Sequence, residues 1–126
     1  MEEQMLKLQE RKTGIYRVIA ATRYSISGLI LAIKTEEAFK QEFALFLVLA
    51  PLGLWLGETA IEKVLLVGAL VILLIVELLN TAVEAVVDRV SSDFHELSRQ
   101  AKDLGSAAVF LSLGLVVFTW ILILPY

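Results

Sequence analysis

The chain has 126 residues, a formal net charge of −3, one histidine and no cysteine. With 58% hydrophobic residues and a mean hydropathy of +0.78, it carries more apolar surface than a water-soluble domain of this length needs, so it reads as a membrane protein. Disulfides are excluded, a dedicated zinc site is disfavoured, and the small negative charge gives no footprint for a nucleic-acid partner.

Residues 1–13 are polar and are expected to form a frayed extension. From Ile15, apolar side chains recur at Val18, Ile19, Ile26, Leu29, Ile30 and Ile33, with Arg17, Arg23, Tyr24 and Lys34 off that stripe. The spacing predicts an amphipathic helix over 15–35, lying in the cytoplasmic membrane interface or, as the plainer alternative, a soluble helix packed on a partner. Three apolar segments follow at about 38–57, 62–88 and 104–124, each near the roughly 20 residues that a span requires. The first apolar block lies too far from Met1, behind a charged segment, to act as a secretory signal. Pro51 is expected to bend the first span. Ser91 or Ser92 is a candidate cap for the last helix, where Leu97, Ala101, Leu104 and Ala108 share one face. Gly105, Ser106, Ala107, Ala108 and Gly114 suit close helix contacts. With no repeat or linker, the expectation is one all-α membrane domain: an amphipathic surface helix plus three transmembrane helices.

Basic residues set the orientation. Lys7, Arg11, Lys12, Arg17, Arg23, Lys34 and Lys40 precede the first span, and Arg89, Arg99 and Lys102 lie between the second and third. Lys63 alone lies between the first two, and no basic residue follows the third. The positive-inside rule predicts a cytoplasmic N-terminus and a C-terminus outside, with Trp55 and Trp120 near the outer interface.

The second span carries the chemistry. Its apolar run, residues 64–76, leads into Glu77, Asn80, Glu84 and Asp88, which fall within an arc of about 80° on a helix. Glu77 is predicted about 10 Å deeper than Glu84. A central charge costs about 2.5–3.5 kcal/mol on insertion scales, so such residues usually mark a pathway or a reaction centre. An acid within the bilayer, with others nearer water, suits a reaction between a lipid-borne and a water-borne reagent. Glu36, Glu42, His95, Lys102 and Asp103 are predicted at the same cytoplasmic level. Carboxylates there can share Mg²⁺ with phosphate oxygens, and lysine is a common phosphate ligand. Neither a Gly-x-x-x-x-Gly-Lys loop nor a Gly-x-Gly-x-x-Gly run is present.

The stretch Val76-Glu77-Leu78-Leu79-Asn80-Thr81-Ala82-Val83-Glu84-Ala85-Val86-Val87-Asp88-Arg89, followed by His95-Glu96-Leu97-Ser98 and Ala101-Lys102-Asp103-Leu104-Gly105-Ser106-Ala107-Ala108, closely resembles the bacterial integral-membrane diacylglycerol kinases. Tyr24-Ser25 and Ala38-Phe39-Lys40-Gln41-Glu42 match earlier segments of that family. The resemblance implies a homotrimeric bundle in the bacterial inner membrane, with active sites shared between subunits. It also implies transfer of the γ-phosphoryl group of MgATP to diacylglycerol, giving phosphatidic acid. Carried over residue by residue, Glu77 matches the general base, and Glu36 and Glu84 match the metal-binding acids. Arg17, Tyr24, Asp93, Phe94, His95, Lys102 and Asp103, with those two acids, match nucleotide contacts. Arg17, Glu42, Glu77, Asn80, Ser106 and Trp120 match positions near the lipid substrate. Ile26-Ser27 stand where Trp-Lys is usual, and Gln100 stands where arginine is usual, which puts peripheral lipid and phosphate contacts in doubt.

Each residue has a plainer reading. Glu77 can be a protonated glutamate hydrogen-bonded to a neighbouring helix, Glu36 and Glu84 solvated charges, Lys102 a membrane anchor, Asn80 an interhelical hydrogen-bonding residue and His95 an exposed loop residue. A proton-coupled transporter is the competing function, because a lone intramembrane acid is a usual relay. Against it, the run 64–76 offers no polar path to the other membrane face. Relatives of the family that phosphorylate undecaprenol leave the acceptor lipid open.

Overall fold

A computed structural model describes residues 1–10, 14–90 and 95–124, apart from the side chains of 8–10. Its elements are all helical: α1 (Glu2–Glu10), α2 (Ile15–Thr35), α3 (Glu37–Leu56), α4 (Ala60–Val90) and α5 (Glu96–Ile123). They form two compact units, Met1–Thr35 and Glu36–Tyr126.

In the first unit, the polar extension contains a helix where a frayed segment is expected. Glu2 and Glu3 occupy its first turn and Lys7 its last, matching the helix dipole, and Lys7 pairs with Glu3 at 3.1 Å. Helix α2 has the bounds expected of the amphipathic helix, and it is also long and apolar enough to cross a membrane, as are α3, α4 and α5. The hydroxyls of Thr22, Ser25 and Thr35 donate to carbonyls one turn back, at 2.7–2.9 Å, which satisfies them without water.

In the second unit, α4 packs against both α3 and α5. Its inward stripe is Leu66, Ala69, Leu70, Leu73 and Glu77, all buried at helical spacing, while Val64, Ile72, Ile75, Leu79 and Val86 point outward. Outward apolar side chains suit a lipid surround. Helix α3 buries Phe39, Ala50 and Gly53 and continues through Pro51. Its reversal into α4 is secured by a capping box. Thr59 Oγ1 accepts from Glu62 N–H at 3.1 Å, and Glu62 Oε2 accepts from Thr59 N–H at 3.3 Å and Glu58 N–H at 2.7 Å.

Helix α5 is capped by His95, whose Nδ1 accepts from Leu97 N–H at 3.1 Å; the expected caps Ser91 and Ser92 lie outside the described residues. The face shared by Leu97, Leu104 and Ala108 is exposed, and α5 instead turns Ala101, Gly105, Val109 and Ser112 inward. Small residues there let the helices approach more closely than leucine permits. At the far end the Trp120 indole N–H donates to the Leu66 carbonyl at 3.1 Å. The Trp120 ring lies 3.4 Å from where a Cβ on Gly53 would stand, so one aromatic side chain joins α3, α4 and α5.

Replacing Trp120 with Ala should lower the stability of the purified protein in detergent by up to about 3 kcal/mol through lost packing. Trp120→Phe should cost about 1 kcal/mol, the indole hydrogen bond alone. Chemical unfolding followed by circular dichroism measures both; equal losses would assign the whole effect to the hydrogen bond.

Candidate functional site

The inward stripe of α4 is apolar from Leu66 to Leu73 and then becomes Glu77, Asn80 and Glu84 without leaving its face. Glu77 is 6% exposed, nearly as secluded as the leucines before it. It meets an acid from the neighbouring helix, because the carboxyls of Glu42 on α3 and Glu77 are close enough for their charges and hydrogen-bonding atoms to interact. The Oε2 atoms of both are buried without a partner. Glu36, which caps α3 by backbone alone, and Glu84 lie within electrostatic reach of Glu77. Among the described residues, no lysine or arginine forms a salt bridge with any of these four acids. Buried acids without partners are costly, which makes this cluster the site of interest.

One turn beyond Glu77, the Asn80 amide nitrogen donates to Glu84 Oε1 at 3.5 Å, while its Oδ1 is buried without a partner. Across from it is Gly105 of α5, where a Cβ would overlap Asn80 Oδ1 and stand 3.2 Å from its Cγ. Further toward the end of α4, Asp88 Oδ1 pairs with Lys102 Nζ at 2.8 Å, tying α4 to α5. On α5 itself Arg99 bridges Glu96 and Asp103, the latter at 2.7 Å. Lys102 and Asp103 are therefore both engaged in ion pairs on the exposed margin of the cluster.

Of the residues singled out from sequence, Glu36, Glu42, Glu77, Asn80 and Glu84 come together on α3 and α4. Lys102 and Asp103 stand at the margin, and Lys102 is within electrostatic reach of Glu84. His95 is exposed and serves as the α5 cap, and Ser106 is exposed beside Gly105. Trp120 sits about 21 Å along α5 from Ser106, at the opposite end of the helix, where it packs against Gly53 and Leu66. Arg17 and Tyr24 are exposed on α2 in the first unit; Asp93 and Phe94 lie outside the described residues. Three contacts went unread in the sequence, the first of them at the opposite end of the unit from the acids. The capping box is written in Thr59 and Glu62, and Arg99 sits three and four residues from its acids. Gly105 faces Asn80, a pairing with no signal in the sequence.

The donor set is all oxygen, the chemistry of a hard cation such as Mg²⁺. Among the described residues no group of three or more His, Asp or Glu side chains is gathered tightly enough to hold a metal alone. Mg²⁺ commonly takes only one or two protein carboxylates and completes its shell with phosphate oxygens and water.

The family described as prokaryotic diacylglycerol kinase matches residues 23–124 of this chain. The diacylglycerol kinase of Haemophilus influenzae is 46% identical over 110 residues, covering 87% of this chain and 93% of the relative. That of Escherichia coli K12 is 46% identical over 112 residues, covering 89% and 92%, and that of Pseudomonas aeruginosa is 45% identical over 113 residues, covering 90% and 92%.

The Asp88–Lys102 pair is half-exposed on the lysine side and more exposed on the acid side. Asp88→Asn should therefore leave thermal stability close to wild type, and closer still in high salt. A larger loss in a detergent melting series would show that the pair carries the α4–α5 contact.

Proposed function

Because this chain belongs to the prokaryotic diacylglycerol kinase family and is a multi-pass membrane enzyme, we propose that it transfers the γ-phosphoryl group of ATP to the hydroxyl of diacylglycerol, giving phosphatidic acid and ADP. The observation that carries this reading is Glu77. A secluded carboxyl stands where the inward face of α4 turns from leucine to acid, with Asn80 and Glu84 following it toward the charged margin.

In the proposed reaction the lipid hydroxyl oxygen attacks the γ-phosphorus, the bond to the β–γ bridging oxygen breaks, and the hydroxyl proton passes to a Glu77 oxygen. Such transfers depend on in-line placement and charge neutralisation more than on covalent help from the protein. Glu42 faces Glu77 from α3 and orients its carboxyl toward the acceptor. Glu84 and Glu36 are the residues that would hold Mg²⁺, which when bound neutralises charge on the β- and γ-phosphates. Asn80 holds Glu84, and Lys102, exchanging Asp88 for a phosphate, receives the nucleotide with Asp103 beside it. Arg17, Tyr24, Asp93, Phe94 and His95 complete the nucleotide contacts, and Ser106 borders the lipid. Trp120, hydrogen-bonded far along α5, is the weakest candidate for a substrate contact.

The same reading places α2 in the cytoplasmic interface of the inner membrane, with α3, α4 and α5 spanning it. A spanning α2 would divide Lys7, Arg11 and Lys12 from Lys34 and Lys40, against the positive-inside rule. A homotrimer is proposed because, among the described residues, the four acids lack a salt-bridge partner and the exposed Ser106 side chain lacks a covering neighbour. Neighbouring subunits would supply both.

Purified protein given ATP and Mg²⁺ should phosphorylate diacylglycerol. Phosphorylation of undecaprenol alone, offered separately, would reassign the acceptor. Glu77→Gln should lower kcat by at least about a hundredfold while nucleotide binding persists; near-normal turnover would remove Glu77 as the base. Glu84→Gln should raise the Mg²⁺ concentration for half-maximal rate, and Lys102→Met should raise the KM for ATP. An unmoved Mg²⁺ titration or an unmoved KM, respectively, would refute those roles.

A further inference from the structure

The contact between Asn80 and Gly105 bears on how the site is held in place. The Asn80 carboxamide makes a hydrogen bond at its nitrogen end and lies against α5 at its oxygen end. The nitrogen donates to Glu84 Oε1 at 3.5 Å, and the oxygen is buried against α5 with no hydrogen-bond donor. That oxygen occupies the space where any residue other than glycine at position 105 would carry its Cβ, with Asn80 Cγ only 3.2 Å from the same point. The other glycines of α4 and α5 behave differently, because a Cβ on Gly68 or Gly114 would meet nothing within 4 Å.

We infer that Gly105 is a positioning residue of the active site: its missing side chain seats the Asn80 carboxamide between α4 and α5, and through Asn80 it sets the Glu84 carboxylate. This deepens the lipid-kinase reading and rests on it. The group that must yield to a methyl at position 105 is the end of the Asn80 side chain, not backbone. A methyl therefore turns the Asn80 amide away from Glu84 and leaves the helices packed. The penalty falls on catalysis and metal use and leaves folding intact, unlike that of an ordinary packing glycine. Misplacing an active-site group by about 1 Å can cost up to about a hundredfold in rate.

The test uses the full chain in lipid vesicles containing diacylglycerol, with Gly105→Ala, Asn80→Ala and the double variant. Gly105→Ala should lower kcat by about ten- to a hundredfold and raise the Mg²⁺ concentration for half-maximal rate, with thermal stability close to wild type. In the Asn80→Ala background, where nothing remains to displace, Gly105→Ala should change the rate by less than about twofold. The Asn80 side-chain amide resonance, read by nitrogen-15 spectroscopy without nucleotide or lipid, should shift in Gly105→Ala. Wild-type kcat and Mg²⁺ dependence in Gly105→Ala, an equal loss in both backgrounds, or an unmoved amide resonance would each overturn the inference. The amide readout decides even where Asn80→Ala is too slow to assay. Failure of the lipid-kinase reading shows separately, as wild-type protein that forms no phosphatidic acid.

Discussion

Seating the Glu77 carboxyl among helices is the constraint to which the neighbouring residues answer. An acid at the centre of a span costs about 2.5–3.5 kcal/mol on insertion scales, and in hydrocarbon no water offsets it. Placing it on the inward stripe of α4, between α3 and α5, takes it out of lipid. The acid Glu42 interacts with it from α3, so the position is held by packing and not by charge pairing. That packing comes from the leucines one to three turns earlier on the same stripe, Leu66, Leu70 and Leu73, each 2% exposed or less.

The two ends of the second unit have different roles. Toward the connection between α3 and α4, the structure is closed by a capping box and by Trp120, whose indole reaches the Leu66 carbonyl while its ring lies against Gly53. Toward the other end, the helices part into charged margins where Lys102 meets Asp88 and Arg99 gathers Glu96 and Asp103. Exposed pairs of this kind contribute little to stability and exchange partners readily. The apolar end is thus the packed one, and the polar end carries exposed ion pairs.

Small residues on α5 link the two. The leucine-bearing face of its first turns is exposed, and Ala101, Gly105, Val109 and Ser112 face the bundle. A larger side chain at position 105 would fill the space that Asn80 takes. Ser112, the buried hydroxyl on this face, donates to the Val109 carbonyl of its own helix at 2.8 Å and asks nothing of its neighbours. Among the described residues, the buried side-chain oxygens without a hydrogen-bond partner are those of Glu42, Glu77 and Asn80.

Hydropathy and spacing alone determined the helical membrane architecture, the bounds of α2 and the stripe carrying Glu77, Asn80 and Glu84, because these depend on local periodicity and on the insolubility of long apolar runs. The helix at Glu2–Glu10 and the Thr59–Glu62 cap were also written locally, in a Glu-to-Lys spacing and a Thr-x-x-Glu pattern. Only the tertiary structure decided that α5 turns Gly105 inward and Leu104 outward, that Glu42 stands opposite Glu77, and that Trp120 closes the far end. Those facts depend on the rotation of each helix about its axis relative to its neighbour. When apolar residues cover most of a helix surface, periodicity does not specify that rotation; the fit of small residues against large ones does.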